Sequence, residues 1–294
     1  KFLKNISDAI TQNEQYIWDK TSKLMKSGNS FATSRKICLK EFLDDKTLNE
    51  INKSNNILAI EYLKAIKRIN NNIIIPYTIK REGNDFSDTT LNLDTNFISA
   101  TSIRETIYKK NTSNINILKK YVPNETFKLI DSLAVISNED LFHVIKYNII
   151  QNLNNLSNFN GVIEGLENRI IHSLNISKTY DEFIHNIKSK RYTMSSIKRL
   201  LLNILLNIKK VDFDELNKNN LNYAHILSIS DKGKILLSEI SKKSDVNILT
   251  SINNKTLLSL NNICKKSLQL DILATNIYYS LLNKKINKDY TNKL

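Results

Sequence analysis

The segment Ile98-Ser99-Ala100-Thr101-Ser102-Ile103-Arg104-Glu105 gathers residue types that hold an anion. Small hydroxyl residues sit at an expected strand-to-helix junction, and an arginine follows one turn later. Free backbone N–H groups and the positive end of the dipole at a helix start favour negative charge. Ser99, Thr101 and Ser102 add hydroxyl donors, and Arg104 adds a planar fork suited to phosphate. On these residues alone the better reading is plainer: Ser99 as an N-cap and Arg104 as a surface cation, because such caps are common.

A second group is cationic: Lys188, Lys190, Arg191, Lys198 and Arg199, with Tyr192 and Thr193 between. If a helix opens near Thr193, lysines precede its amino end while Leu201, Leu202, Leu205 and Ile208 face a core. Cations of this kind position a polynucleotide backbone without reading its sequence, and Tyr192 can stack on an unpaired base. The competing reading is a solvated charged face with Tyr192 as a packing residue. Glu164 and Glu167 share a helix face, but Arg169 and Lys178 offer ordinary pairing and nothing nearby supplies a nucleophile, so a structural role is expected. The four histidines (His143, His172, His185, His225) form no catalytic spacing. Cys38 and Cys264 form no zinc motif, and there is no Walker-type glycine loop or Ser-His-Asp pattern. No metal ligand is assigned.

Helical periodicity dominates the elements that must hold these residues. Phe2 to Leu24 reads as helix stopped by Gly28, and a short helix runs through Arg35, Ile37 and Phe42. Ser54 or Asn55 caps a third, with Leu58, Tyr62, Ala65 and Ile66 as its face. Ile73 to Ile79 reads as a buried strand beginning near Pro76. A polar loop from Arg81 to Asp94 follows, then the helix at Ser99. From about residue 115 the chain reads as nearly all helix: one opened by Pro123 and Asn124, one capped by Asn138, others over 162–174, 179–188 and 193–209. Short strands at 226–229 and 246–252 flank a helix at 232–243, and helices resume from Thr256 to about Asn283. The fold class is therefore mainly α with a partial α/β element. Residues 1–112 read as the end of a Rossmann-like domain and 113–294 as a mostly helical domain.

Composition narrows the function classes. Lys and Arg total 43 against 29 Asp and Glu, a net charge of +14 over 294 residues. Clustered cations on a basic chain are the usual footprint of a polyanion partner, although abundant Asn, Ile and Lys can also reflect an AT-rich genome. With 41% hydrophobic residues there is material for a packed core. No apolar run reaches the roughly 18 residues of a spanning helix, which excludes a helical membrane span. Two distant thiols and no signal peptide point to a cytoplasmic protein.

Ile98 to Arg104 resembles the Ser-x-Thr-x-x-Arg signature of the nucleotidyltransferase superfamily. Four more blocks, in the same order, resemble the bacterial tRNA-Met cytidine acetate ligases: Ser54 to Tyr62, Thr78 to Gly83, Glu164 to Arg169, and Lys188 to Thr193. The resemblance covers most of the chain from about Ser30 to Lys210. It implies an enzyme that activates acetate with ATP, Mg2+ being expected alongside the nucleotide, to form acetyl-adenylate. The acetyl group then goes to the wobble cytidine of elongator tRNA-Met. By the same resemblance Asn56 and Arg81 contact the nucleotide with Ser99, Thr101 and Arg104, and the Lys188–Arg199 cations grip tRNA. Two departures stand out: Ser196 occupies a position where the family tends to carry arginine, and the His-x-Gly-His motif is absent. The chain is accordingly expected to be the C-terminal portion of a longer protein, with no catalytic residue of its own. Two rival readings remain, a basic RNA-binding module without chemistry and a nucleotidyltransferase acting on a small molecule.

Overall fold

The computed structural model describes residues 2–69, 73–79, 97–108, 112–132, 135–163, 165–217 and 223–286. The chain divides into two compact units, residues 1–133 with 189–193, and residues 134–188 with 194–294.

The first unit is helical: α1 (Phe2–Gln12), α2 (Glu14–Lys26), α3 (Phe31–Leu39), α4 (Asp45–Ile51), α5 (Ser54–Ile69), α6 (Ala100–Tyr108), α7 (Thr112–Ile117) and α8 (Asn124–Ser132). The opening helix expected from periodicity is broken in two at Asn13. Its amide donates to the Ala9 carbonyl at 2.9 Å, the kind of side-chain bond that competes with helix continuation. Gly28 ends this stretch as expected, at φ +96°, a conformation glycine takes without a Cβ penalty. Ser30 caps α3 and Asp44 caps α4, each by accepting a backbone N–H three residues on. Ile6, Ile10, Ile17, Cys38, Leu39, Leu48, Ile51 and Ile60 form the core of these helices.

Two expectations fail here. The buried residues of α5 are Ile60 and Lys64, whereas Leu58 and Tyr62 are exposed, so the inward face is displaced from the expected one. Ile73 to Ile79 form no strand, and Ile73, Ile75, Tyr77 and Ile79 are 88%, 84%, 89% and 88% exposed. A β-rich composition makes a strand only where a neighbouring strand accepts its hydrogen bonds, and none pairs with this run among the described residues.

The second unit contains α9 (Asn138–Gln151), α10 (Leu166–Ile176), α11 (Tyr180–Ile187), α12 (Met194–Leu205), α13 (Lys210–Asn217), β1 (Ala224–His225), α14 (Asp231–Lys243), β2 (Ile248–Leu249), α15 (Asn254–Ser259) and α16 (Asn262–Leu281). Ser137, not Asn138, caps α9, in a reciprocal box with Asp140. α9, α10, α11 and α12 pack together around Phe142, Ile145, Ile149, Ile170, Phe183, Ile187, Leu201 and Ile204. The strand expected at 246–252 shortens to β2, and the one expected at 226–229 is displaced to β1, just before that range; the two pair in parallel with α14 between them in sequence. A second core of Leu249, Ile252, Leu260, Cys264, Leu268 and Ile272 lies beside β2. No described helix is long and apolar enough to cross a membrane.

Each unit carries an acid-sensitive ion pair. Hydrogen bonds from Arg68, then Lys64, hold Glu14 below its ordinary 4.5. The Lys266 ammonium holds Asp212 below its ordinary 3.8. A carboxylate whose folded value lies below its unfolded one stabilises the protein above the unfolded value, and that stability is lost as pH falls through the folded value. The thermal midpoint by circular dichroism is expected to hold down to about pH 4.5 and decline below it, modestly because both pairs are partly solvated. A midpoint that rises on acidification would contradict these assignments.

Candidate functional site

The residues expected to hold phosphate fall at the start of α6. Ser99 is buried, and its hydroxyl accepts the Ser102 N–H at 3.0 Å. The Ser102 hydroxyl donates to the Ser99 carbonyl at 2.9 Å, and the Thr106 hydroxyl to the Ser102 carbonyl at 2.8 Å. This buried ladder fixes the first turn, so the Ser99 side chain acts as an N-cap. Thr101 and Arg104 point elsewhere: Arg104 is exposed, and its guanidinium donates to the Thr101 hydroxyl at 3.3 Å. These two side chains put a hydroxyl and a cationic fork on one turn, which is the chemistry a phosphate requires.

Asn56, at the start of α5, is half-buried and donates its amide to the Glu50 carbonyl at 2.8 Å. The bond ties α5 to the end of α4 and leaves the amide oxygen as an acceptor. Arg81 lies outside the described residues.

Of the expected cations, Lys188 stands at the end of α11 and Lys198 and Arg199 in the middle of α12, in the second unit, whereas Lys190 and Arg191 belong to the first. Lys188, Lys190, Arg191, Lys198 and Arg199 are all exposed. Lys188 follows α11, whose end is secured by Arg169: its guanidinium donates to the Asn186 carbonyl at 3.1 Å and the Lys188 carbonyl at 2.7 Å. A cation on the last carbonyls of a helix complements their partial charge, so Arg169 has a structural role, on backbone carbonyls and not in the side-chain pairing expected of it. Glu167 accepts the Gly165 N–H at 3.2 Å; Glu164 lies outside the described residues. Residues 189–192 form a turn in which the Tyr192 N–H donates to the Ser189 carbonyl at 3.3 Å. On α12, Ile197, Leu200, Leu201, Ile204 and Leu205 are buried, while Lys198 and Arg199 are exposed. Leu202, expected to face the core, is exposed instead.

One cluster was not marked by the sequence patterns: on α2 and α5, Lys64 is buried between Glu14 and Glu61. A signal for it exists. Glu14 precedes Ile17 on the apolar stripe of α2, and Lys64 follows Ile60 by one turn.

A family model described as HIGH Nucleotidyl Transferase matches residues 1–293. The tRNA(Met) cytidine acetate ligase of Clostridium botulinum strain Okra is 41% identical over 281 residues, covering 90% of this chain and 65% of that protein. The protein of the same name from Clostridium perfringens is 35% identical over 298 residues, covering 98% of this chain and 71% of that protein. The chain thus spans about two thirds of the length of these relatives. Among solved structures, Thermotoga maritima TmcAL in its apo form I superposes with a TM-score of 0.85 at 24% identity, over 99% of this chain and 73% of that one. Its form II, bound with alpha-thio ATP, gives a TM-score of 0.83 at 23% identity, over 99% of this chain and 72% of that one. With the Ser99–Arg104 helix start lying within a fold shared by these proteins, the chain belongs to the HIGH nucleotidyl transferases and, among them, to the tRNA(Met) cytidine acetate ligase family.

Proposed function

We propose that the protein takes part in ATP-dependent acetylation of the wobble cytidine of elongator tRNA-Met. The observation that carries this reading is the match to a tRNA(Met) cytidine acetate ligase over 98% of the chain. The hydrogen-bonded Thr101–Arg104 pair supports it chemically. In the proposed sequence an acetate oxygen attacks the α-phosphorus of ATP, the bond to the bridging oxygen breaks, and pyrophosphate leaves. The cytidine exocyclic amine then attacks the acetyl carbon of the mixed anhydride, losing a proton as AMP departs. Thr101 and Arg104 hold phosphate oxygens, with Ser99 fixing the helix start that carries them. Asn56 offers its amide oxygen and Arg81 its cation to the rest of the nucleotide, and the Lys188–Arg199 cations hold the RNA backbone. Such groups act by positioning and by stabilising charge.

Mg2+ is expected to accompany ATP, and among the described residues no group of three or more His, Cys, Asp or Glu could hold a metal ion. No histidine of the chain has the His-x-Gly-His spacing, so no residue is assigned as catalytic, and the 294-residue chain is expected not to turn over by itself.

The test incubates the native protein with ATP, isotopically labelled acetate and total tRNA, then searches the digested RNA for labelled acetylcytidine by mass spectrometry. Label that requires ATP supports the ligase reading. Absence of label with tRNA still bound would favour a binding module, and turnover by the isolated chain would overturn the assignment of no catalytic residue.

The RNA grip has its own test. Replacing both Lys198 and Arg199 by alanine is expected to weaken tRNA binding and to flatten its salt dependence by about one logarithmic unit for each phosphate no longer neutralised. Filter binding across a salt series checks this; an unchanged slope would leave the pair as solvated surface.

A further inference from the structure

A cavity of about 350 Å3 opens in the first unit beside the Lys64 cluster, and none of its lining residues is among those proposed to hold ATP or tRNA. On α2, Glu14, Ile17, Trp18 and Thr21 recur at the spacing of a single helical stripe, and all four line it. Ile10 from α1, Phe31 and Arg35 from α3, and Glu61 and Lys64 from α5 complete the wall. Two aromatic side chains on this wall remain in water: Trp18 is 62% exposed and Phe31 50%.

The charged groups are not equivalent. Lys64 is only 7% exposed and is satisfied by Glu14 at 3.0 Å and Glu61 at 3.1 Å. Glu14 also accepts from Arg68. Arg35 is different. Its side chain is 18% exposed, its ion-pair partner Glu61 stands at 3.9 Å, and its guanidinium makes no hydrogen bond among the described residues. A guanidinium carries five N–H donors in a planar fork, and leaving them unused in a largely buried position is costly.

The charge balance selects the ligand. Arg35 and Lys64 against Glu14 and Glu61 leave the lining neutral, so a phosphate or free carboxylate would face two carboxylates at no net gain. A neutral planar ring with two adjacent acceptors suits both the idle fork and the aromatic walls. Guanine presents O6 and N7 in that way, whereas adenine sets an amine donor beside N7 and would leave half the fork unmatched. Stacking on aromatic side chains adds affinity for any base without selecting one. We propose that this cavity binds a guanine base, stacked against Trp18 and Phe31 and read by Arg35. A free nucleotide and an unpaired position in RNA both present that base. The inference is independent of the phosphate site at α6.

Trp18 is the only tryptophan of the chain, so its fluorescence reports directly on the cavity. Titrating the 294-residue chain with GMP is expected to change that emission saturably, with AMP and CMP at least about tenfold weaker, the discrimination expected of a bidentate base contact. Arg35→Lys keeps the charge, loses the fork, and is expected to erase the preference for GMP. Phe31→Leu is expected to weaken all bases together. Circular dichroism confirms that each variant folds. A guanine-containing trinucleotide beside a cytosine-only one separates the sources: response to GMP shows that the free nucleotide binds, and response to the guanine trinucleotide alone assigns an RNA base, both upholding the proposal. Equal responses to all bases, a response to inorganic phosphate alone, a GMP preference that survives Arg35→Lys, or no response to any of these ligands at millimolar concentration would each overturn it.

Discussion

Replacing Arg104 by alanine is expected to lower ATP-dependent acetylcytidine formation by about a hundredfold or more, the usual loss when a preorganised group that stabilises developing charge is removed. The reason lies in its surroundings. Arg104 is exposed and bonds the Thr101 hydroxyl at 3.3 Å, so most of its donors remain for a ligand. Arg104→Lys retains the charge without the fork and should fall between the two. Ser99→Ala makes the informative contrast. Because the Ser99 hydroxyl is buried in the helix cap, its loss should cost about 1 kcal/mol of stability with a much smaller effect on the KM for ATP. Steady-state acetylation kinetics on the native protein, paired with thermal melts, separate the two roles. Unchanged kinetics for Arg104→Ala would return this residue to the solvated surface.

The largest stability effect is expected from Phe183→Ala. Phe183 is fully buried on α11, its ring 5.0 Å from that of Phe142 on α9, and Tyr180, Ile184 and Ile187 are buried on the same helix. Truncation removes the ring's transfer free energy and leaves a cavity, together costing about 3–5 kcal/mol. Against a typical total of about 5–15 kcal/mol, that is a large fraction. The thermal midpoint should fall by about 6–20 °C in a protein of this size. Phe183→Leu, which keeps most of the volume, should cost much less. Urea titration followed by circular dichroism measures both. A Phe183→Ala midpoint equal to that of the parent would show that α9 and α11 do not share a core.

Local chemistry was the legible part of the sequence. Gly28 stops a helix because it tolerates the left-handed conformation, and α8 begins where Pro123-Asn124 indicates. The start of α11 falls within one residue of the expected 179, whereas α5 already includes Ser54, a residue expected to cap it. Facing was less legible. Leu58, Tyr62 and Leu202 are apolar residues left in water, because periodicity shows that a stripe exists but several offsets of α5 and α12 satisfy it almost equally. The run from Ile73 to Ile79 shows a deeper limit. Strand formation depends on a partner elsewhere in space, and composition cannot supply one. At the candidate site, the hydroxyl spacing identified the α6 start but could not divide its labour. Ser99 and Ser102 bond inward, whereas Thr101 bonds Arg104. The Lys64 cluster was hidden because burying an ammonium requires carboxylates from α2 and α5, residues 14 and 61, to converge.

The distribution of sulfur has a practical consequence. Each unit buries one cysteine thiol: Cys38 beside the Thr21 hydroxyl, and Cys264 beside the Asn247 amide. A thiol shielded in this way reacts with an alkylating reagent only when its surroundings open. Trapping rates at the two sulfurs, resolved by peptide mass, therefore serve as separate clocks for the breathing of each unit. Run with and without nucleotide or tRNA, they would reveal which half of the chain each ligand quiets, without introducing any label or mutation.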